Sequence, residues 1–167
     1  MSFVGIIADF KDYEFICKNL LKDKQYSKLN FININEENVE NIKNIKFETV
    51  AICNNINCMK TKMKYINNIL KYAKYLIINS DISIDNSIFE KSEAQIITYG
   101  KSQKATVTIS SVEDDNILVC IQRRIKNLKS NIIELQEFKI NSENITNKSV
   151  YSLLVLSIIQ KLYVWKN

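Results

Sequence analysis

Histidine and proline are absent from this 167-residue chain, glycine occurs only at Gly5 and Gly100, and arginine only at Arg123 and Arg124. Without imidazole there is no Ser-His-Asp or Cys-His relay and no histidine metal ligand. Nor does any side chain have an unperturbed pKa near neutrality. The four cysteines, Cys17, Cys53, Cys58 and Cys120, show no C-x-x-C spacing and sit in or beside apolar runs, which favours reduced thiols over disulfides or zinc. Isoleucine, asparagine and lysine are abundant instead. That skew matches the codon bias of an AT-rich genome, so the formal net charge of +5 is not by itself a functional signal.

Hydrophobic residues make up 46% and charged residues 25%, a globular composition at a length expected of one domain. A chain of this size buries roughly two-thirds of its unfolded surface without disulfides or metals. Met1-Ser2-Phe3-Val4 enters an apolar run with no cationic segment before it, so a cytoplasmic location is expected. The triplets Asn144-Ile145-Thr146 and Asn147-Lys148-Ser149 fit the glycosylation pattern only by chance in such an asparagine-rich chain.

The chain is organised around Ala94 to Arg124. Ile96, Ile97 and Tyr99 form a short apolar strand closed by Gly100. Ala105, Val107 and Ile109 then alternate with Thr106, Thr108 and Ser110, the period of a strand with one wet face. The acidic turn Glu113-Asp114-Asp115-Asn116 leads into Ile117, Val119 and Ile121 as an antiparallel partner. With no proline or second glycine nearby, Gly100 is expected at positive φ, and Gly100→Val is expected to cost about 1 to 3 kcal/mol.

The residues before this hairpin alternate between strands and helices. Strands are predicted at Phe3 to Ala8, Leu29 to Ile34, Glu48 to Cys53 and Tyr75 to Ile78. Helices are predicted from an Asp12 N-cap to Leu21, at Glu36 to Ile45, and at about Met59 to Ala73. Such alternation implies a parallel sheet with right-handed crossovers and helices on both faces. Beyond the hairpin, Ile132 to Ile140 reads as one strand whose change of apolar phase suggests a bulge near Gln136-Glu137. A helix from about Lys148 to Trp165 follows, too short and too serine-interrupted to span a bilayer. The fold class is therefore α/β: a mainly parallel sheet, an antiparallel hairpin subsheet and a C-terminal helix in a single domain, 1–167.

The turn Ala8-Asp9-Phe10-Lys11-Asp12 occupies the place of a phosphate loop but has no glycine, and its two acids oppose polyphosphate. The acids Glu113-Asp114-Asp115 read as a solvated turn rather than a metal site. Two lysine-rich clusters, Lys60, Lys62, Lys64, Lys71 and Lys74, and Arg123-Arg124 with Lys126 and Lys129, lack interleaved aromatics, which argues against nucleic-acid binding.

Taken in order, ETVAICNN, KYLIINSDI, IITYGKSQKATVTISSV and VYSLLVLSI resemble the central domain of the Mur ligase family, ATP-dependent enzymes that add amino acids to peptidoglycan precursors. The resemblance implies a nucleotide-binding α/β ancestry and a link with cell-wall metabolism in a bacterium. The chemistry of that family is not carried over: Ala8 to Asp12 replace the phosphate loop, and Asn57 and Cys58 stand near the family's acid and histidine. Ile66 stands near its magnesium-assisting lysine, and Lys148 and Ser149 stand in its G-x-H-N motif; Asn79 and Asp81 remain of its N-x-D-D motif. No catalytic residue, metal ligand or cofactor is thus expected, and the leading expectation is a non-catalytic interaction or regulatory module. The alternative is a small-molecule site at the carboxyl ends of the parallel strands, near Ala8, Asn54, Asn55, Asn79 and Asp81, where open α/β sheets bind ligands. Leu153, Leu154, Leu156, Ile158 and Ile159 cover more of the last helix than one core-facing stripe absorbs, so a homodimer or a protein partner docking on that helix is expected.

Overall fold

The computed structural model describes residues 2–54, 56–113, 116–141 and 147–164, without the side chains at 57, 58, 141 and 147–149. Eight strands form one sheet in the order β2-β1-β3-β4-β5-β6-β7-β10. They are β1 (Ser2–Ile7), β2 (Leu29–Asn33), β3 (Thr49–Ile52), β4 (Tyr75–Asn79), β5 (Gln95–Gly100), β6 (Val107–Glu113), β7 (Asn116–Ile121) and β10 (Gln136–Asn141). The run from β2 to β6 is parallel, whereas β7 is antiparallel to both β6 and β10. A separate antiparallel pair joins β8 (Ile125–Lys126) to β9 (Ile132–Ile133). The architecture is the expected α/β sheet with an antiparallel extension. No helix among the described residues is long and apolar enough to cross a membrane.

Helices α1 (Phe10–Leu21) and α3 (Asn147–Leu162) cover one face of the sheet, where Ile16, Leu20, Leu154, Val155 and Ile159 meet Val4, Ile6, Ile77 and Tyr99. Helix α2 (Met63–Lys71) covers the other with Ile66, Ile69 and Leu70 against Val50, Ile52, Leu76 and Ile78. Two cores, one on each side, explain why β3 and β4 are buried at every residue and read as continuous apolar runs.

Several local expectations are corrected. Helix α1 is capped by Asp9, whose carboxylate accepts the Asp12 amide at 2.9 Å, so the helix starts one turn before the predicted Asp12 cap. Residues 36–44 form turns rather than a helix: Asn35 Oδ1 accepts the amides of Glu37 and Asn38, and Asn38 Oδ1 accepts the amide of Asn35. Asparagine side chains here take over hydrogen bonds that a helix would make along its backbone. The predicted strand 132–140 is two strands in two sheets, β9 and β10, parted at Glu134-Leu135 with Leu135 on the surface. The apolar phase changes there because the chain passes from one sheet to the other. The bulge lies instead in β6, between Ile109 and Ser111.

The wet face expected for Thr106 and Thr108 is also absent, since both are buried. Their hydroxyls are satisfied locally, Thr106 by Thr98 Oγ1 at 3.2 Å and Thr108 by the Gly100 carbonyl at 2.8 Å. The reason is a side-step: β6 begins beside the last residues of β5 in parallel, Tyr99 against Val107 and Gly100 against Thr108, and then runs on beyond it. Helix α3 packs against α1, β4, β5 and β6, with the β7 residues Ile117, Val119 and Ile121 in the same core. All five residues expected to need outside cover, Leu153, Leu154, Leu156, Ile158 and Ile159, are therefore buried within the chain. An apolar helix sinks completely where helix, sheet and hairpin enclose it together.

Candidate functional site

Strand order reverses between β1 and β3, because the chain leaves β1 toward β2 on one side and returns to β3 on the other. In open α/β sheets the loops at such a switch point diverge and leave a crevice at the carboxyl ends of the strands. Here those loops are Ala8-Asp9 after β1 and the residues from Cys53 after β3, with Ser80-Asp81 following β4 and Lys101 following β5. Four of the predicted site residues, Ala8, Asn54, Asn79 and Asp81, accordingly lie at the carboxyl end of the sheet; Asn55 lies outside the described residues.

The side chains there bond to one another. With its amide oriented to satisfy both ends, Asn54 accepts the Asp9 amide at 2.8 Å and donates to the Cys53 carbonyl at 3.2 Å, tying the two loops of the switch point together. Asn79, buried, accepts the Asp81 amide at 3.0 Å. The Asp81 carboxylate accepts the Lys101 amide at 2.7 Å and the Tyr151 hydroxyl at 3.0 Å. On the neighbouring turn of α3, Ser152 donates to Asp12 at 2.8 Å. The first turns of α3 are thus latched to the end of β4 by Tyr151 and to the first turn of α1 by Ser152, two residues that read in sequence as part of an apolar run. Only their hydroxyls marked them.

Beneath the latch the Tyr99 hydroxyl is fully buried beside the Cys53 thiol, with no oxygen or nitrogen partner among the described residues, while its ring meets Tyr151 edge-on with centroids 6.4 Å apart. Burial raises the Tyr99 pKa well above its ordinary value, and Cys53 and Asp12 add to that rise. Burial likewise pushes the Cys53 thiol up to about 12, against a smaller lowering by Tyr99 and with further raising by Asp12 and Asp9. Tyr151 is raised by burial and then by its bond to Asp81. A thiol held this far above neutrality is not the thiolate needed for attack, and the two phenols stay protonated.

Ile66 is buried under α2 among apolar neighbours, on the face of the sheet opposite to α1 and α3. The side chains of Asn57, Cys58, Lys148 and Ser149, and the turn residues Asp114 and Asp115, lie outside the described residues, as does the triplet at 144–146. Among the described residues no group of three His, Cys, Asp or Glu side chains is placed to hold a metal ion. Cys17, Cys53 and Cys120 are free thiols, partly rather than fully buried. No protein-family model and no curated protein matches this chain.

Proposed function

We propose that this chain is a non-catalytic, Mur ligase-like α/β domain that serves as an interaction or regulatory module. The observation that carries the reading is the closure of the switch-point crevice by the protein's own groups. Asn54 bridges to Asp9, Asp81 is taken by Lys101 and Tyr151, and Asp12 is taken by Ser152. The carboxylates of Asp9 and Asp81 follow strand ends and that of Asp12 lies in the first turn of α1, where a nucleotide would place its phosphates, and like charge at short range opposes that ligand. Calorimetry with ATP and magnesium is the direct test. No heat of binding is expected, and micromolar, metal-dependent binding overturns the reading.

A homodimer or a protein partner belongs to the same reading. The buried residues of α3 are not available to form it, so another surface must. Light scattering after size exclusion reads the state, and a monomer at tens of micromolar rules out stable self-association. A second reading, a small-molecule site at the same strand ends, is favoured by the Tyr99 hydroxyl, which is buried without an oxygen or nitrogen partner among the described residues and which a ligand reaching under the latch would satisfy. Ligand screening by thermal shift separates the two, since tight binding to the native state raises the melting temperature.

A further inference from the structure

Away from this crevice, on the opposite side of the sheet, α2 and the segment after β4 enclose a cleft of about 390 Å³. One wall is the outer stripe of α2. Lys64, Asn67, Asn68 and Lys71 recur at the spacing i, i+3, i+4, i+7, complementary to the buried stripe of Ile66, Ile69 and Leu70. The other wall is Ser87, Ile88, Lys91 and Ser92, from the 3₁₀ turn Asn86–Phe89 and the residues after it. That wall is fixed in place. Asp85 caps the turn by accepting the Ser87 amide at 3.0 Å, Ser92 donates to the Leu70 carbonyl at 3.1 Å, and Ile88 packs on the α2 core.

No carboxylate lines the cleft, although Glu90 and Glu93 flank Lys91 in sequence. Neither Lys64 nor Lys91 forms an ion pair among the described residues, and Lys71 lies over the Tyr72 ring at 5.3 Å. Three ammonium groups around one concavity repel each other unless an anion sits between them. A lone row of lysines on a convex helix face would simply be solvated. Here the concavity brings lysines from two elements toward a common volume, together with the side-chain amides of Asn67 and Asn68.

We propose that this cleft binds a small molecule through a phosphate or diphosphate group, with Lys64, Lys71 and Lys91 supplying the charge and the Asn67 and Asn68 amides supplying directional donors. The volume is that of a small-molecule site, and lysine is an effective point-charge partner for phosphate. The cleft is separate from the strand-end crevice, so this assignment stands whether or not the reading of that crevice does.

The test is titration of the full chain with inorganic pyrophosphate at constant ionic strength, followed by amide chemical shifts, with citrate as a matched polyanion. Saturable shifts confined to the cleft residues are expected. Affinity should fall roughly three- to tenfold in Lys64→Gln and in Lys91→Gln, and remain unchanged in Lys11→Gln on α1. Unchanged unfolding midpoints verify that the variants are folded, which their exposed positions predict. Absence of saturation, shifts spread over lysines throughout the protein, undiminished binding by the two cleft variants, or citrate binding as tightly as pyrophosphate each overturns the assignment.

Discussion

Gly100 offers the sharpest test of how the carboxyl end of the sheet is built. Its φ is +157°, a backbone conformation that L side chains rarely adopt, and it ends β5 where the chain side-steps into β6. A Cβ added there would lie 2.7 Å from both Asp81 Oδ1 and Ser80 Oγ and 2.8 Å from Asp81 Cγ, closer than van der Waals contact permits. Asp81 cannot move freely, because its other oxygen holds the Lys101 amide and the Tyr151 hydroxyl. Gly100→Ala therefore adds backbone strain of about 1 to 3 kcal/mol. It also weakens two hydrogen bonds of an exposed carboxylate, worth about 0.5 to 1 kcal/mol each after water replaces them. The sum is about 2 to 5 kcal/mol, or a urea midpoint lowered by roughly 1 to 2.5 M for a slope near 2 kcal/mol per M. In a double-mutant cycle, Asp81→Ala removes the collision with the carboxylate but neither the contact with Ser80 Oγ nor the strain, so the pair should cost less than the sum of the single changes. An unchanged midpoint in Gly100→Ala would refute the reasoning at its root.

Three further outcomes are expected. Asp9→Ala removes the cap of α1 and should lower stability by about 1 kcal/mol by chemical denaturation; no loss would return the cap to Asp12. Tyr163→Phe leaves the buried Thr49 hydroxyl without its 2.8 Å partner and should cost about 1 to 3 kcal/mol, whereas Tyr13→Phe, which gives up a bond to the half-buried Phe31 carbonyl, should cost less. Burial raises the Cys17 thiol from an ordinary 9.0 to about 11 and Cys53 to about 12. Because the folded state holds the proton more tightly than the unfolded one, the stability contributed is intact below pH 9 and is lost as pH rises toward 11 and 12. Urea midpoints measured across that range should fall, and native-state alkylation of both thiols near pH 8 should be slow; a flat profile would show that the thiols are not desolvated.

The sequence by itself determined the parallel strands and the fold class, though not the division of 132–140 between two sheets. Runs such as Val50-Ala51-Ile52 and Tyr75-Leu76-Ile77-Ile78 are continuously apolar, and a strand covered on both faces asks for that. The conformation of Gly100 was legible for a related reason, since a strand that ends abruptly without proline has few residues that can turn it. The location of the candidate site was legible as well, as it follows from topology: alternation fixes parallel strands, and parallel strands gather their carboxyl ends at one edge. What tertiary structure alone decided is which atoms meet there. Tyr151 and Ser152 sit in an apolar run whose pattern says only that it is buried, and the 70 positions between Tyr151 and Asp81 leave no local periodicity to link them. The fate of α3 was undetermined for the same reason. A helix apolar all round requires cover on every side, but whether a second chain or the hairpin supplies it depends on where β6 carries the sheet after its side-step, a long-range packing outcome that no window of sequence contains.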